Sequence, residues 1–152
     1  VTGPFLSRND KDQVMERANN LGVKSYEFFA DMENLIAASD IVVCMGGYNT
    51  ICEVLSSKTM SLVIPRETPR KEQYIRAKAF NHKNLIEFIS WSQLNEFNLE
   101  EKILHMLENK APFTKAAAKF EMTGIANICE RVSKFWNGKN EKECAPDVMY
   151  GS

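Results

Sequence analysis

Residues 41–53 constrain this chain more than any other stretch. Ile41 to Met45 is apolar throughout, the pattern of a strand covered on both faces. Gly46-Gly47 follows, a pair that permits a turn closed to other residues and lets a ligand approach the backbone. Thr50 to Ser57 then reads as a helix whose free N–H groups and positive dipole end face out of the turn. Strand, diglycine turn and helix start together make a site for a phosphate or diphosphate. A purely structural account stays open, because Thr50-x-x-Glu53 also fits a capping box, in which Glu53 only bonds backbone near Thr50. Neither G-x-x-x-x-G-K-[ST] nor G-x-G-x-x-G occurs, which excludes a P-loop and the dinucleotide fingerprint.

The rest of the chain alternates strand and helix patterns. Val1 to Leu6 reads as a strand, Asp10 to Leu21 as an amphipathic helix closed by Gly22, and Val23 to Phe29 as a second strand. Asp31 caps a short helix through Ser39. After the residue 41–57 unit come a strand at Ser61 to Ile64, a helix from Thr68-Pro69 to about Asn81, and a short strand at Leu85 to Ile89. A helix at Leu99 to Glu108 and a long final helix at Phe113 to Trp136 complete the pattern. Such alternation predicts an α/β fold, a Rossmann-like parallel sheet with helices on both faces. Ligands of these sheets bind at the carboxyl ends of strands, where the diglycine turn and the Pro65–Gln73 segment would meet.

Pro65 to Gln73 is rich in polar chemistry. Arg66, Arg70 and Lys71 can pair with phosphate oxygens, and Glu72 and Gln73 with sugar hydroxyls. Arg70 and Lys71 fit a solvated helix start at least as well.

Composition narrows the options. With 19 Lys and Arg against 20 Asp and Glu, the net charge of −1 favours no nucleic-acid partner. The 152 residues suffice for one domain with a real core, and no apolar run is long enough to span a bilayer. Cys44, Cys52, Cys129 and Cys144 form no C-x-x-C pair and read as reduced thiols of a cytoplasmic protein, with no metal site expected. His82 and His105 each stand alone in helical stretches, as surface or packing residues. The start at Val1 and the closing Gly151-Ser152, which reads as an appended dipeptide, suggest a portion of a longer protein. Residues 1–138 are expected to form the domain, and 139–152 a disordered polar tail.

Met45-Gly-Gly-Tyr-Asn-Thr50-x-x-Glu53, followed by a strand and then Pro65-Arg66 and Glu72-Gln73-x-x-x-Ala77, resembles the C-terminal, donor-binding domain of nucleotide-sugar glycosyltransferases of the GT-B fold. The likeness is to the group containing the bacterial peptidoglycan N-acetylglucosaminyltransferase, and within it to predicted bacterial glycosyltransferases with an M-G-G-Y-N-T motif. In motif detail it covers roughly Val1 to Asn81. The resemblance implies that Gly46, Gly47, Asn49 and Thr50 hold the donor diphosphate. Glu53 would bond the ribose, and Phe29 and Ala30 would contact the base through their backbone. Glu72 and Gln73 would read the donor sugar, with Arg66 a further sugar or diphosphate contact.

By the same analogy the donor is a UDP-sugar, N-acetylglucosamine being the sugar offered, and no cofactor is needed. The acceptor hydroxyl attacks the anomeric carbon while a base takes its proton. That base belongs to an N-terminal acceptor domain which this chain lacks, so its catalytic residue is unknown and the chain alone is expected to be inactive. The acceptor is undetermined; a lipid-linked one would put a cytoplasmic protein at the membrane periphery. In the family another strand and glycine-rich loop precede the strand that Val1–Phe5 resembles, so the first strand is expected to be missing. Two other functions share the features: a sugar-nucleotide epimerase or hydrolase of the same fold, and a non-catalytic subunit of a split glycosyltransferase.

Overall fold

β2 (Met60–Val63), every residue of which is buried, is the middle strand of a parallel sheet of order β1-β2-β3. A computed structural model describes residues 1–136 and gives this sheet β1 (Ile41–Cys44) on one side of β2 and β3 (Glu87–Phe88) on the other. Ile41 lies opposite Met60 and Cys44 opposite Val63, while Leu62 and Val63 face Glu87 and Phe88. The helices in chain order are α1 (Arg8–Asn20), α2 (Met32–Ala37), α3 (Tyr48–Ser57), α4 (Glu72–Asn81), α5 (Glu96–Glu108), α6 (Ala111–Lys119) and α7 (Gly124–Trp136). A 3₁₀ turn at Trp91–Gln93, not anticipated, leads into α5.

Side chains of β2 alternate between faces and so divide the core. Met60 and Leu62 pack with Ile89 and with Met106 of α5, and Leu99, Ile103 and Phe113 close over them. Ser61 and Val63 point the other way. The two crossovers β1–α3–β2 and β2–α4–β3 step in the same direction, and their common hand lays α3 and α4 on that second face. There α3 buries Ile51, Val54 and Leu55, and α4 buries Ala77. α2 packs on α3, with Ile36 in the core and its carbonyl accepting a hydrogen bond from Thr59 Oγ1 at 3.1 Å. The α/β alternation and the parallel sheet with helices on both faces are therefore as expected.

Several boundaries differ. Val1 to Leu6 and Val23 to Phe29 are not strands. They meet in two backbone bonds only, Thr2 N–H to Tyr26 O at 2.9 Å and Gly3 N–H to Glu27 O at 3.0 Å. Gly3, at φ 79°, and Pro4, with no N–H, stop that ladder. β1 is not covered on both faces as its apolar run suggested; Val43 is 46% exposed, because β1 is the outer strand of the β1-β2-β3 sheet. α4 begins at Glu72 rather than Thr68, the Thr68–Pro69 peptide being cis and lying in the loop ahead of it. The single long helix expected from Phe113 to Trp136 is two: the chain leaves helix after Lys119 and re-enters at Gly124, a residue that would weaken an uninterrupted helix.

By its internal contacts the chain divides into a unit from Val1 to Ala118 and a second beginning at Lys119. Within the second, α7 is amphipathic but buries no residue. The tail expected after Gly138 lies outside the described residues.

Candidate functional site

The site begins where β1 ends. Gly46 is buried at φ 78°, and a Cβ there would stand 2.6 Å from Val63 Cγ1, so the turn requires glycine on both counts. Gly47 is different. Its φ is −55° and an added Cβ would meet nothing within 4 Å, so neither backbone nor space demands glycine. Gly47 is the N-cap of α3, and a glycine N-cap offers no side-chain acceptor.

The first intrahelical bond runs from Ile51 N–H to Gly47 O at 3.0 Å. The N–H groups of Tyr48, Asn49 and Thr50 precede it and form the open donor end of the helix. Thr50 thus sits in the third helical position, not at the cap, and the capping-box arrangement of Thr50 with Glu53 does not form. Glu53 is exposed, one turn along, and its carboxylate has no protein partner among the described residues. Burial pushes the Cys44 thiol up from its ordinary value, while the Gly46 N–H acts on it in the opposite direction. Cys44 is thereby kept as a neutral thiol beside the turn.

A cleft of about 510 Å³ runs along the outer edge of β1. Its walls are Val1–Gly3, the inner residues Met32, Leu35 and Ile36 of α2, β1 itself, and Thr50 of α3. Thr50 therefore opens onto a concave surface. Phe29 and Ala30 stand just before the Asp31 cap of α2 and do not line the cleft.

The second cluster is brought to the turn by α4. Gln73 Oε1 accepts from the Arg66 backbone N–H at 3.0 Å, which commits its oxygen to the loop after β2 and leaves its NH₂ to donate. Glu72 is exposed at the first position of α4, whose N-cap, Lys71, supplies no side-chain bond either. Arg66, Arg70 and Lys71 are exposed. One contact was not anticipated. Arg76 Nη1 donates to Gly46 O at 3.1 Å, and its guanidinium lies 5.5 Å from the centre of the Tyr48 ring. The only sequence signal was position: Arg76 is one turn beyond Glu72 on a helix already expected at the crevice. No group of three or more His, Cys, Asp or Glu side chains suited to a metal gathers among the described residues.

The comparisons with known proteins agree with this frame. A UDP-N-acetylglucosamine–N-acetylmuramyl-(pentapeptide) pyrophosphoryl-undecaprenol N-acetylglucosamine transferase of Clostridium botulinum (strain Kyoto / Type A2) is 27% identical over 135 residues, 86% of this chain and 38% of that protein. The enzyme of the same description from Streptococcus pneumoniae (strain 70585) is 34% identical over 103 residues, 66% of this chain and 29% of its own length. The crystal structure of MurG from Acinetobacter baumannii superposes with a TM-score of 0.61 at 16% identity, covering 74% of this chain and 33% of that one. The chain thus spans about a third of the length of these relatives. Residues 3–132 match the model of the glycosyltransferase family 28 C-terminal domain, and with the strand–diglycine–helix site at its centre the chain belongs to that family.

Proposed function

We propose that this chain is the donor-binding half of a glycosyltransferase that moves a sugar from a UDP-sugar to an acceptor hydroxyl. The observation that carries the reading is the bare N-terminus of α3, set behind a turn whose Gly46 admits no side chain, at the carboxyl end of β1. A nucleoside diphosphate leaving group gains negative charge as the glycosidic bond breaks. Fixed N–H donors at Gly47, Asn49 and Thr50 and the dipole of α3 stabilise that charge without reorganising. No resident cofactor enters this scheme.

Glu53 would take the ribose hydroxyls, and the backbone at Phe29 and Ala30 the base. The Gln73 NH₂, the Glu72 carboxylate and Arg66 would meet the sugar. The relatives' description names N-acetylglucosamine as the sugar transferred and an undecaprenol-linked acceptor, and we extend both to this protein. The base that accepts the acceptor's proton would come from a further domain, and a lipid-linked acceptor would draw a cytoplasmic protein to the membrane surface. No helix among the described residues is long and apolar enough to cross a membrane.

The test is an amide NMR titration with UDP and then with UDP-N-acetylglucosamine. Shifts at Ala30, Gly46, Gly47 and Glu53 with UDP, joined by Glu72 and Gln73 only with the sugar nucleotide, are expected. Absence of any shift at millimolar UDP would sink the reading.

A further inference from the structure

The Gly46–Gly47 peptide has two polar ends. In a planar trans peptide the carbonyl of one residue and the N–H of the next point in opposite directions. The Gly46 carbonyl is held by Arg76 Nη1 at 3.1 Å, across thirty residues of sequence. The Gly47 N–H is therefore directed away from Arg76. Gly46 itself, at φ 78° and without a side chain, could rotate this peptide more freely than any other residue could. The guanidinium that restrains it is in turn flanked by the ring of Tyr48, the first residue of α3.

We propose that Arg76 is a positioning residue of the donor site: by holding the Gly46 carbonyl it aims the Gly47 N–H at the ligand's diphosphate. The inference rests on the donor-site reading above and deepens it. Arg76 also links the two halves of that site. It lies three residues beyond Gln73 on α4, and Gln73 holds the backbone of Arg66 at the end of β2. One helix thus grips the loops after both β1 and β2, so the diphosphate donors and the sugar-facing residues move together. Arginine suits the task because its planar fork makes a directed bond while the guanidinium stays over the Tyr48 ring; a lysine ammonium is a point charge without that fixed geometry.

The experiment measures the ligand-free Gly47 amide signal, and the affinities for UDP and for uridine, in the unaltered chain and in Arg76→Met and Arg76→Lys. Arg76→Met should move the Gly47 amide before any ligand is added and weaken UDP about five- to tenfold, the effect of about one hydrogen bond. Uridine, which lacks phosphate, should bind unchanged, and Arg76→Lys should restore part of the UDP affinity. Equal UDP affinity in Arg76→Met and the unaltered chain overturns the inference while leaving the donor site intact. Absence of UDP binding to the unaltered chain overturns the donor-site reading and this inference with it. Should Arg76→Met lose its dispersed spectrum, Tyr48→Leu gives the same readout, since Tyr48 is 67% exposed and outside the core. It should shift the Gly47 amide in the same direction and weaken UDP about twofold, and an unmoved amide there counts against the inference.

Discussion

Two kinds of helix start coexist in this chain. α1, α2 and α5 each begin on a side-chain cap. Ser7 Oγ accepts from Asp10 N–H at 3.2 Å, Asp31 Oδ1 from Asn34 N–H at 3.4 Å, and Asn95 Oδ1 from Asn98 N–H at 2.8 Å. α3 and α4 begin on Gly47 and Lys71 with no such bond. Of the helices α1 to α5, the two bare ones are those that leave the carboxyl ends of β1 and β2. A glycine N-cap such as Gly47 gives up only about 0.3 kcal/mol against a Ser, Thr, Asn or Asp cap, and a residue such as Lys71 about 1 kcal/mol. The position of the bare starts matches the place where parallel sheets bind ligands, which connects local sequence to function more directly than the fold does.

The comparison can be broken at its strongest point by Gly46→Ala. An L-residue at φ 78° with its Cβ 2.6 Å from Val63 Cγ1 should lose about 2–4 kcal/mol of stability, read from denaturant unfolding. Ordinary stability in this variant would mean that the turn is not built around glycine.

Gly47→Asp turns the bare helix into a capped one. The residue's φ of −55° and ψ of 151° suit an N-cap of any type. We expect about 0.3 kcal/mol of added stability together with at least tenfold weaker UDP binding, because the carboxylate occupies the donors and repels phosphate. Gained stability with intact UDP affinity would separate the α3 N-terminus from the ligand.

Removing a cap gives the complementary result. Asn95→Ala should cost about 1 kcal/mol through α5, whose Met106 is in the core, and leave UDP affinity unchanged. A fall in affinity would show that the two classes of helix are not independent.

The smallest effect concerns Cys44, behind the turn. Its raised pKa means that the unfolded chain releases this proton at lower pH than the folded one. Stability is therefore unaffected below about pH 8 and declines as pH rises past the ordinary thiol value of 9.0, the charged form being favoured only on unfolding. Replacing Cys44 by Ala should flatten that decline. At pH 8 iodoacetamide should label exposed Cys129 well before Cys44, as peptide mass spectrometry would show.

The β1–turn–α3 unit was legible because its signals are local: an apolar run, two glycines and a helical pattern lie within 41–57. What depended on partners was not. The outer position of β1 follows from which strands pair, and its apolar run is the same in either place. Thr68-Pro69 carries an N-cap and first-turn signal, yet the chain spends it on a loop and starts α4 at Glu72. The break between α6 and α7 had a cue in Thr123-Gly124, outweighed by the apolar period on either side. Arg76 carries no local signal, because its contact with Gly46 exists only once β1 and α4 are side by side. The ligand roles given to Gly46, Gly47 and Thr50, like those of Phe29, Ala30 and Glu53, rest on the resemblance.

The other end of α3 closes in a Schellman motif, Lys58 N–H donating to Leu55 O and Thr59 N–H to Val54 O at 3.3 Å each. Its C-cap, Lys58, takes the left-handed conformation at φ 53°, where glycine would be relaxed. A ten-residue helix with no side-chain cap at its start, closed on a left-handed lysine, does not persist alone in water. α3 exists because Ile51, Val54 and Leu55 are pressed against the sheet. Its donor end is thus assembled only when the chain folds, and a ligand held there has nothing to bind in the unfolded state. Occupancy and folding become one equilibrium: a ligand at a hundred times its Kd would add about 2.7 kcal/mol to the stability of the whole unit. If the donor-site proposal holds, the melting temperature of this chain becomes a gauge of donor occupancy.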